Sequence, residues 1–173
     1  ESVSVYPATE LVLSSQDKET GLLEIQKDCK VTAAKFRKLG KPEEATRLEK
    51  QVAGFLEQIE FQAGANFDSY IHYFYKYTDS FLDFFDKDNT IVVLDEPARI
   101  KEHAGAVELE FKESMMHRME KGYLLPGQMD ILSSAEEVAA RMLNGKCLSV
   151  AALDMKNPII KADVKFDITA KSI

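Results

Sequence analysis

The sequence has little that would serve redox, zinc or membrane chemistry. It contains only two cysteines, Cys29 and Cys147, which lie far apart in segments with an apolar pattern. No zinc-ligand spacing occurs, and free buried thiols are typical of a reducing cytoplasm. No apolar run approaches the roughly 20 residues that a transmembrane helix needs, and the N-terminus has no signal-peptide core. We therefore expect a cytoplasmic protein without a bound metal and without membrane contact.

Basic charge is also scarce. Lys and Arg number 22 against 29 Asp and Glu, so the formal net charge is −7. A surface that follows a nucleic-acid backbone needs clustered Lys and Arg, so we expect no strong nucleic-acid binding by this chain alone. The sequence also lacks Gly-x-x-x-x-Gly-Lys-Ser/Thr, the loop that cradles nucleotide phosphates. We therefore expect no bound cofactor.

The most informative stretch that is present runs from Thr90 to Pro97. Its apolar part predicts a strand that is buried on both faces, which is typical of a parallel sheet, and residues 147–153 predict a second strand. Asp95 and Glu96 follow the first strand at its carboxyl end, where open α/β sheets bind ligands. In helicase-type ATPases such a pair holds Mg²⁺ and orients the attacking water. Without a phosphate loop, we favour a structural role in which a carboxylate caps the helix that Pro97 begins.

Two amphipathic helices are predicted before this strand. They cover residues 18–39 and 42–62 and meet at Leu39-Gly40-Lys41-Pro42, where Gly40 ends one helix and Pro42 begins the next. The predicted structure is an αα-hairpin whose outer, charged face is solvated rather than a binding surface. Its predicted core residues are Leu22, Ile25, Cys29, Ala33, Phe36, Leu48, Val52, Phe55, Leu56 and Ile59.

Aromatic residues are dense between Phe67 and Phe85. Because Lys76 is the only Lys or Arg within this run, core packing is favoured over the stacking of nucleic-acid bases. We expect a short helix through residues 81–85, capped by Thr78 or Asp79.

Further helices and strands are predicted on either side. A helix from Pro97 to about Lys121 carries an apolar stripe, and a capping box within residues 133–137 opens a helix that ends at Leu143. Short strands are expected within residues 3–13 and through Val164, Phe166 and Ile168. His103 and His117 lie too far apart to share a ligand on one turn, so we expect both at the surface. The stripe consists of Ile100, Ala104, Val107, Phe111 and Met115.

Five segments together resemble, in order and spacing, the UvrB-homology module near the N-terminus of bacterial transcription-repair-coupling factors (Mfd). UvrB itself is similar but has Asp-Glu-Ser-His after the strand, where this chain has Asp95-Glu96-Pro97-Ala98. The missing histidine favours the coupling factors. The segments are Val5-Tyr6-Pro7-Ala8-Thr9-Glu10, Leu48-Glu49-Lys50-Gln51, Asn66-Phe67-Asp68-Ser69-Tyr70, Asp79-Ser80-Phe81-Leu82-Asp83-Phe84-Phe85 and the strand from Ile91 to Glu96.

The resemblance implies an α/β fold. It consists of a small, mainly parallel sheet flanked by helices with a long αα-hairpin, a partial P-loop-NTPase-like domain that lacks the phosphate loop. We expect one domain, residues 1–173, within which 18–62 form the hairpin, 63–160 the α/β core and 161–173 a strand and linker.

The resemblance also implies a function. The chain would be a non-catalytic scaffold in which Asp95 and Glu96 are a degenerate Walker B-like remnant. The parent protein would be an ATP-dependent DNA translocase that displaces stalled RNA polymerase and recruits UvrA for nucleotide excision repair. ATP, Mg²⁺, UvrA and the polymerase would be bound by parts of the parent outside this chain. The alternatives are half of a UvrB-like nucleotide-hydrolysing domain, whose phosphate loop lies elsewhere, and a stand-alone protein-binding module that uses the hairpin.

Overall fold

The computed structural model describes residues 13–60, 67–152 and 162–168. The chain divides into two compact units. Residues 1–79 and 109–133 form the first unit, and residues 80–108 and 134–173 form the second. The predictions for residues 3–12 fall outside the described residues.

The first unit is built on the predicted hairpin. Helix α1 spans Ser15–Lys38 and helix α2 spans Pro42–Glu60. Ser14 caps α1, because its side chain accepts a hydrogen bond from the Asp17 N–H at 3.1 Å. Gly21 is required in α1, because an added Cβ would overlap the Phe74 ring.

The core of the first unit is largely aromatic where the hairpin meets the next segment. A 3₁₀ turn, Asp68–Tyr70, leads into the short helix α3, Ile71–Phe74. The Tyr70 ring stacks on Phe55 at 3.9 Å, and Phe67 packs edge-on against Phe55 at 5.8 Å. The core packing predicted for the aromatic run is thus confirmed for Tyr70 and Phe74, which are buried together with Ile25, Cys29, Ala33, Phe36, Ala45, Leu48, Val52, Phe55, Ile59 and Leu125.

The second unit contains a two-stranded parallel sheet. Strand β1 is Ile91–Asp95 and strand β2 is Lys146–Val150. Helix α4, Pro97–Glu120, starts in this unit and ends in the first one. Helix α5, Ala135–Leu143, carries the predicted capping box between Ser134 and Glu137. Helices around a small parallel sheet agree with the predicted α/β class.

Burial of β1 and α4 differs from the sequence expectation. β1 is not buried on both faces, because Ile91 is 62% exposed and Val93 is 58% exposed. Of the apolar stripe predicted on α4, only Met115 is buried, whereas Val107 is 55% exposed. The physical reason is that the sheet has only two strands, and within the described part of the chain the elements next to it do not cover these side chains.

Three smaller expectations are also corrected. The helix through residues 81–85 is a 3₁₀ turn, Phe81–Phe84, and its cap is Ser80 rather than Thr78 or Asp79. Phe81 and Phe84 are exposed rather than buried. Residues 162–168 have no regular secondary structure where a strand was expected. Among the described helices, none has the length and hydropathy to span a membrane.

Candidate functional site at the carboxyl end of β1

Asp95 and Glu96 lie where the sheet, helix α4 and the chain after β2 come together. Asp95 is the last residue of β1 and pairs in register with Val150 of β2. Glu96 follows in the left-handed region with φ of 49°, and Pro97 then begins α4. The chain changes from strand to helix at this one residue.

Glu96 makes hydrogen bonds in three directions. Its N–H donates to the Val150 carbonyl at 2.8 Å, and its Oε1 accepts from the Ala152 N–H at 2.8 Å. Its carbonyl oxygen accepts from the Arg99 N–H at 2.9 Å, within the first turn of α4. Glu96 therefore connects the end of β2 to the start of α4 through both its main chain and its side chain.

This geometry revises the role expected for the carboxylates. The Glu96 carbonyl serves the first turn of α4, whereas the Glu96 carboxylate is directed to β2. Asp95 is exposed, and no hydrogen bond or ion pair of its side chain occurs within the described residues. The predicted capping of α4 by a carboxylate is therefore not what holds the helix start.

The arrangement offers little to a metal ion. No group of three or more His, Cys, Asp or Glu side chains is suitably placed in the described ranges. Asp95 alone supplies one carboxylate, and Glu96 already accepts a main-chain hydrogen bond. Mg²⁺ at such a site would depend on phosphate oxygens from a bound nucleotide, which a phosphate loop would have to hold. His103 and His117 are both exposed, as predicted.

A second polar cluster in the same unit connects the 3₁₀ turn to α5. Asp83 Oδ2 accepts from the Ser80 N–H at 2.7 Å, from the Ser80 hydroxyl at 2.8 Å and from Arg141 Nη1 at 2.8 Å. The hydrogen bonds from Ser80, and then the Arg141 charge, lower the pKa of the Asp83 carboxyl. The polar groups of these side chains are hydrogen-bonded to one another, so the cluster has a structural role.

The first unit holds a polar cluster that sequence reasoning missed. The Tyr73 hydroxyl donates to the Asp28 carboxylate and accepts from the Gly127 N–H at 3.2 Å. Burial, followed by the hydrogen bond to Asp28, raises the pKa of Tyr73 well above its usual range. The three residues are far apart in the sequence, and no local pattern marks them as partners.

The turn after α4 docks on α2 in the same unit. Arg47 Nη1 donates to the Lys121 carbonyl at 2.5 Å, and its guanidinium lies 4.9 Å from the centre of the Tyr123 ring. Gly122 has φ of 73°, and an added Cβ would overlap the Glu44 main chain. This contact fixes the end of α4 without contributing a reactive group.

Comparison with known proteins gives one distant relationship. No protein-family model matches the chain. The chain is 29% identical over 125 residues to a transcription-repair-coupling factor of Bacillus subtilis (strain 168). The match covers 72% of this chain but only 10% of the relative's length. The chain is therefore distantly related to a transcription-repair-coupling factor and corresponds to a small part of it.

Proposed function

We propose that this chain is a non-catalytic structural module of a protein that acts in transcription-coupled DNA repair. The observation that carries the proposal is the role of Glu96, whose carboxylate accepts the Ala152 N–H and whose main chain bonds Val150 and Arg99. A glutamate engaged in this way holds the fold together. Its Oε1 already accepts a main-chain hydrogen bond, which favours this structural role over the orientation of an attacking water.

Phosphoryl transfer needs several groups that act together. The β- and γ-phosphates are held by a glycine-rich loop and its lysine, while Mg²⁺ joins the phosphates to a carboxylate. The sequence has no such loop, and at the end of β1 the exposed Asp95 is the carboxylate available for this role. Asp95 and Glu96 are, in this proposal, the remnant of a Walker B-like element on a UvrB-like scaffold.

The activities of the whole protein belong to other parts of it. The similarity to a transcription-repair-coupling factor supports a parent that is an ATP-driven DNA translocase. Binding of ATP and Mg²⁺, displacement of stalled RNA polymerase and recruitment of UvrA are assigned in this proposal to segments outside this chain. The chain itself contributes a folded, cytoplasmic module on which those segments are mounted.

One observation favours an alternative. Asp95 is exposed at the carboxyl end of a parallel strand, which is the edge where α/β sheets bind nucleotides. A phosphate loop supplied by another segment would make the chain half of a nucleotide-hydrolysing domain.

Calorimetric titration with Mg-ATP distinguishes the two functions when it is done on the chain alone and on the full-length polypeptide with and without Asp95→Ala, because only the full-length polypeptide can supply a phosphate loop from another segment. We expect no saturable heat from the unmodified chain or from the Asp95→Ala and Glu96→Gln variants, because nothing holds the phosphates. The folded state of each variant is verified by its thermal melt. In the full-length polypeptide we expect Asp95→Ala to leave the number of ATP sites unchanged. Saturable binding by the chain alone, or the loss of one ATP site from the folded full-length Asp95→Ala variant, would contradict the scaffold proposal and establish the nucleotide site.

A further inference from the structure

One face of the two-stranded sheet carries a continuous apolar surface. The register pairs Val93 with Leu148 and places Ile91 and Val150 on the same side, because side chains alternate along each strand. These four residues, which we call the open face, are 62% (Ile91), 58% (Val93), 50% (Leu148) and 50% (Val150) exposed.

The apolar side chains of the opposite face of the sheet are covered within the second unit. Leu94 is only 6% exposed, and Val92 and Cys147 are half-buried. Val92 lines a cavity of about 80 Å³ together with Phe85 and with Met142 of α5. The remaining residue of this face, Ser149, is exposed but polar, so the apolar side chains of the sheet are covered on one side only.

An uncovered apolar face is unusual for parallel strands. Parallel sheets occur almost only with both faces covered, because their crossover helices pack there, whereas a solvated sheet face carries polar side chains. Here the central positions of the face, Val93 and Leu148, are both aliphatic. Charge appears only at its two ends, with Lys146 at the amino end of the strands and Asp95 at the carboxyl end.

We propose that the open face is the docking surface for one amphipathic α-helix from the remainder of the polypeptide to which this chain belongs. The inference rests on the proposed function, since that function makes this chain a module within a longer protein. The helix runs antiparallel to β1 and β2, with its N-terminus beside Asp95. The exposed Asp95 carboxylate there complements the positive end of the helix dipole.

The dimensions of the open face fit a helix. Five residues of strand are about 13 Å long from first to last, and two strands are about 5 Å apart. A helix of roughly 10 Å diameter covers that area with two to three turns. Four side chains that are 50–62% exposed fall well short of the roughly 800 Å² per partner that a stable dimer buries, which argues against a second copy.

The amount of chain outside this one also favours an intramolecular occupant. The chain matches only 10% of the length of its relative, so a related protein has ample sequence to supply the helix. A helix from the same polypeptide needs no additional partner and is present at a high effective concentration.

Thiol labelling tests the proposal. Val93→Cys and Leu148→Cys are made separately in a background that carries Cys29→Ala and Cys147→Ala, in this chain and in the full-length polypeptide. In this chain we expect both thiols to react with maleimide at a rate close to that of Leu39→Cys, since Leu39 is 72% exposed. In the full-length protein we expect the reaction at both positions to slow by at least about 100-fold, because it then requires local opening. The Leu39→Cys control, made in both proteins, measures any slowing of the maleimide reaction that results only from the larger size of the full-length protein.

A photo-crosslinker at Leu148 of the full-length protein identifies the occupant. A crosslink to a helical segment of the same polypeptide supports the proposal, whereas unchanged thiol reactivity or a crosslink to a second copy overturns it. The outcome is separable from that of the ATP titration. If the thiols are protected in the full-length protein but the chain binds Mg-ATP, the scaffold function is wrong and the docking helix stands. If the thiols stay reactive and the chain does not bind Mg-ATP, the scaffold function stands and the docking helix is wrong.

Discussion

Glu96 combines an unusual main-chain conformation with a side-chain contact to a distant strand. A glutamate at φ of 49° adopts a conformation that ordinary residues enter at a cost of roughly 1 kcal/mol or more. The hydrogen bonds to Val150, Ala152 and Arg99 offset that cost by joining β2 to α4. The same residue that resembles a catalytic glutamate is thereby a main determinant of the local fold.

Substitutions at Glu96 separate its structural and catalytic interpretations. Glu96→Ala removes the acceptor for the Ala152 N–H and should lower the free energy of unfolding by about 1–2 kcal/mol. Glu96→Gln keeps an Oε1 acceptor in the same place and should cost less than half as much. Urea unfolding of the two variants checks this. Equal stabilities of the Ala and Gln variants would show that the Ala152 contact contributes nothing.

Tyr73 provides a pH-dependent prediction. Its pKa is raised in the folded chain by burial and by the Asp28 hydrogen bond, so above pH of about 10 the unfolded chain releases this proton while the folded chain retains it. The contribution of Tyr73 to stability is therefore complete below pH 10 and is lost as the pH rises further. Tyr73→Phe should cost about 1–2 kcal/mol at neutral pH and should weaken the loss of stability at alkaline pH.

Unfolding curves between pH 8 and pH 11 measure this effect. Tyr77→Phe is the matched control, because Tyr77 is 90% exposed and its substitution should leave the curves unchanged. Burial also raises the pKa of Tyr70, so some alkaline loss of stability should persist in the Tyr73 variant. If Tyr73→Phe and Tyr77→Phe had the same stability at every pH, the contact between Tyr73 and Asp28 would be ruled out as a source of the alkaline loss of stability.

At the scale of the elements, local patterns in the sequence predicted where helices and strands lie but not which of their faces are covered. The spacing of Ile25, Ala33 and Phe36 located α1 correctly, since a helix that packs on one neighbour needs one apolar stripe. The same reasoning failed for Val107 of α4 and Val93 of β1, which are exposed. An apolar pattern shows that a face is suited to burial, whereas its covering depends on segments elsewhere in the chain or outside it.

The candidate site was predictable only in part, for the same reason. An Asp-Glu pair after an apolar run correctly indicated a carboxyl strand end. The partner of Glu96, Ala152, is 56 residues away in the sequence and is joined through a main-chain N–H, which leaves no residue-type signal. Likewise, Ser80 rather than Thr78 or Asp79 caps the 3₁₀ turn, because three potential capping residues are adjacent in the sequence and the folded geometry selects one of them.

Two glycines within the hairpin should respond in opposite directions to replacement by alanine. Gly21→Ala places a Cβ against the Phe74 ring and should lower stability by about 1–3 kcal/mol despite the better helix propensity of alanine. Gly54→Ala meets no atom within 4 Å and should raise stability by about 0.5–1 kcal/mol. Thermal melts of both variants provide the comparison. Stabilisation by both would indicate that α3 does not pack on α1 as the structure has it.

At the scale of the whole molecule, charge decides which large partners the chain attracts. The net charge is −7, so the long-range field repels a polyanion. The densest positive segment surrounds the hairpin turn, with Lys35, Arg37, Lys38 and Lys41. Arg37 is already paired there with Glu49 at 2.7 Å, which reduces what this segment offers to phosphates.

We therefore expect no useful affinity of the chain for double-stranded DNA at physiological salt. Non-specific binding depends on neutralising several phosphates with clustered cations, and each phosphate contact adds about 0.9 to the slope of log affinity against log salt. Fluorescence anisotropy with a labelled duplex should give no submicromolar dissociation constant at about 150 mM salt, and any signal at low salt should vanish steeply as salt is added. The double variant Lys38→Glu, Lys41→Glu is the control for the hairpin turn. A submicromolar, salt-sensitive dissociation constant that is lost in this variant would show that the hairpin turn contacts nucleic acid. The prediction from the net charge would then be wrong.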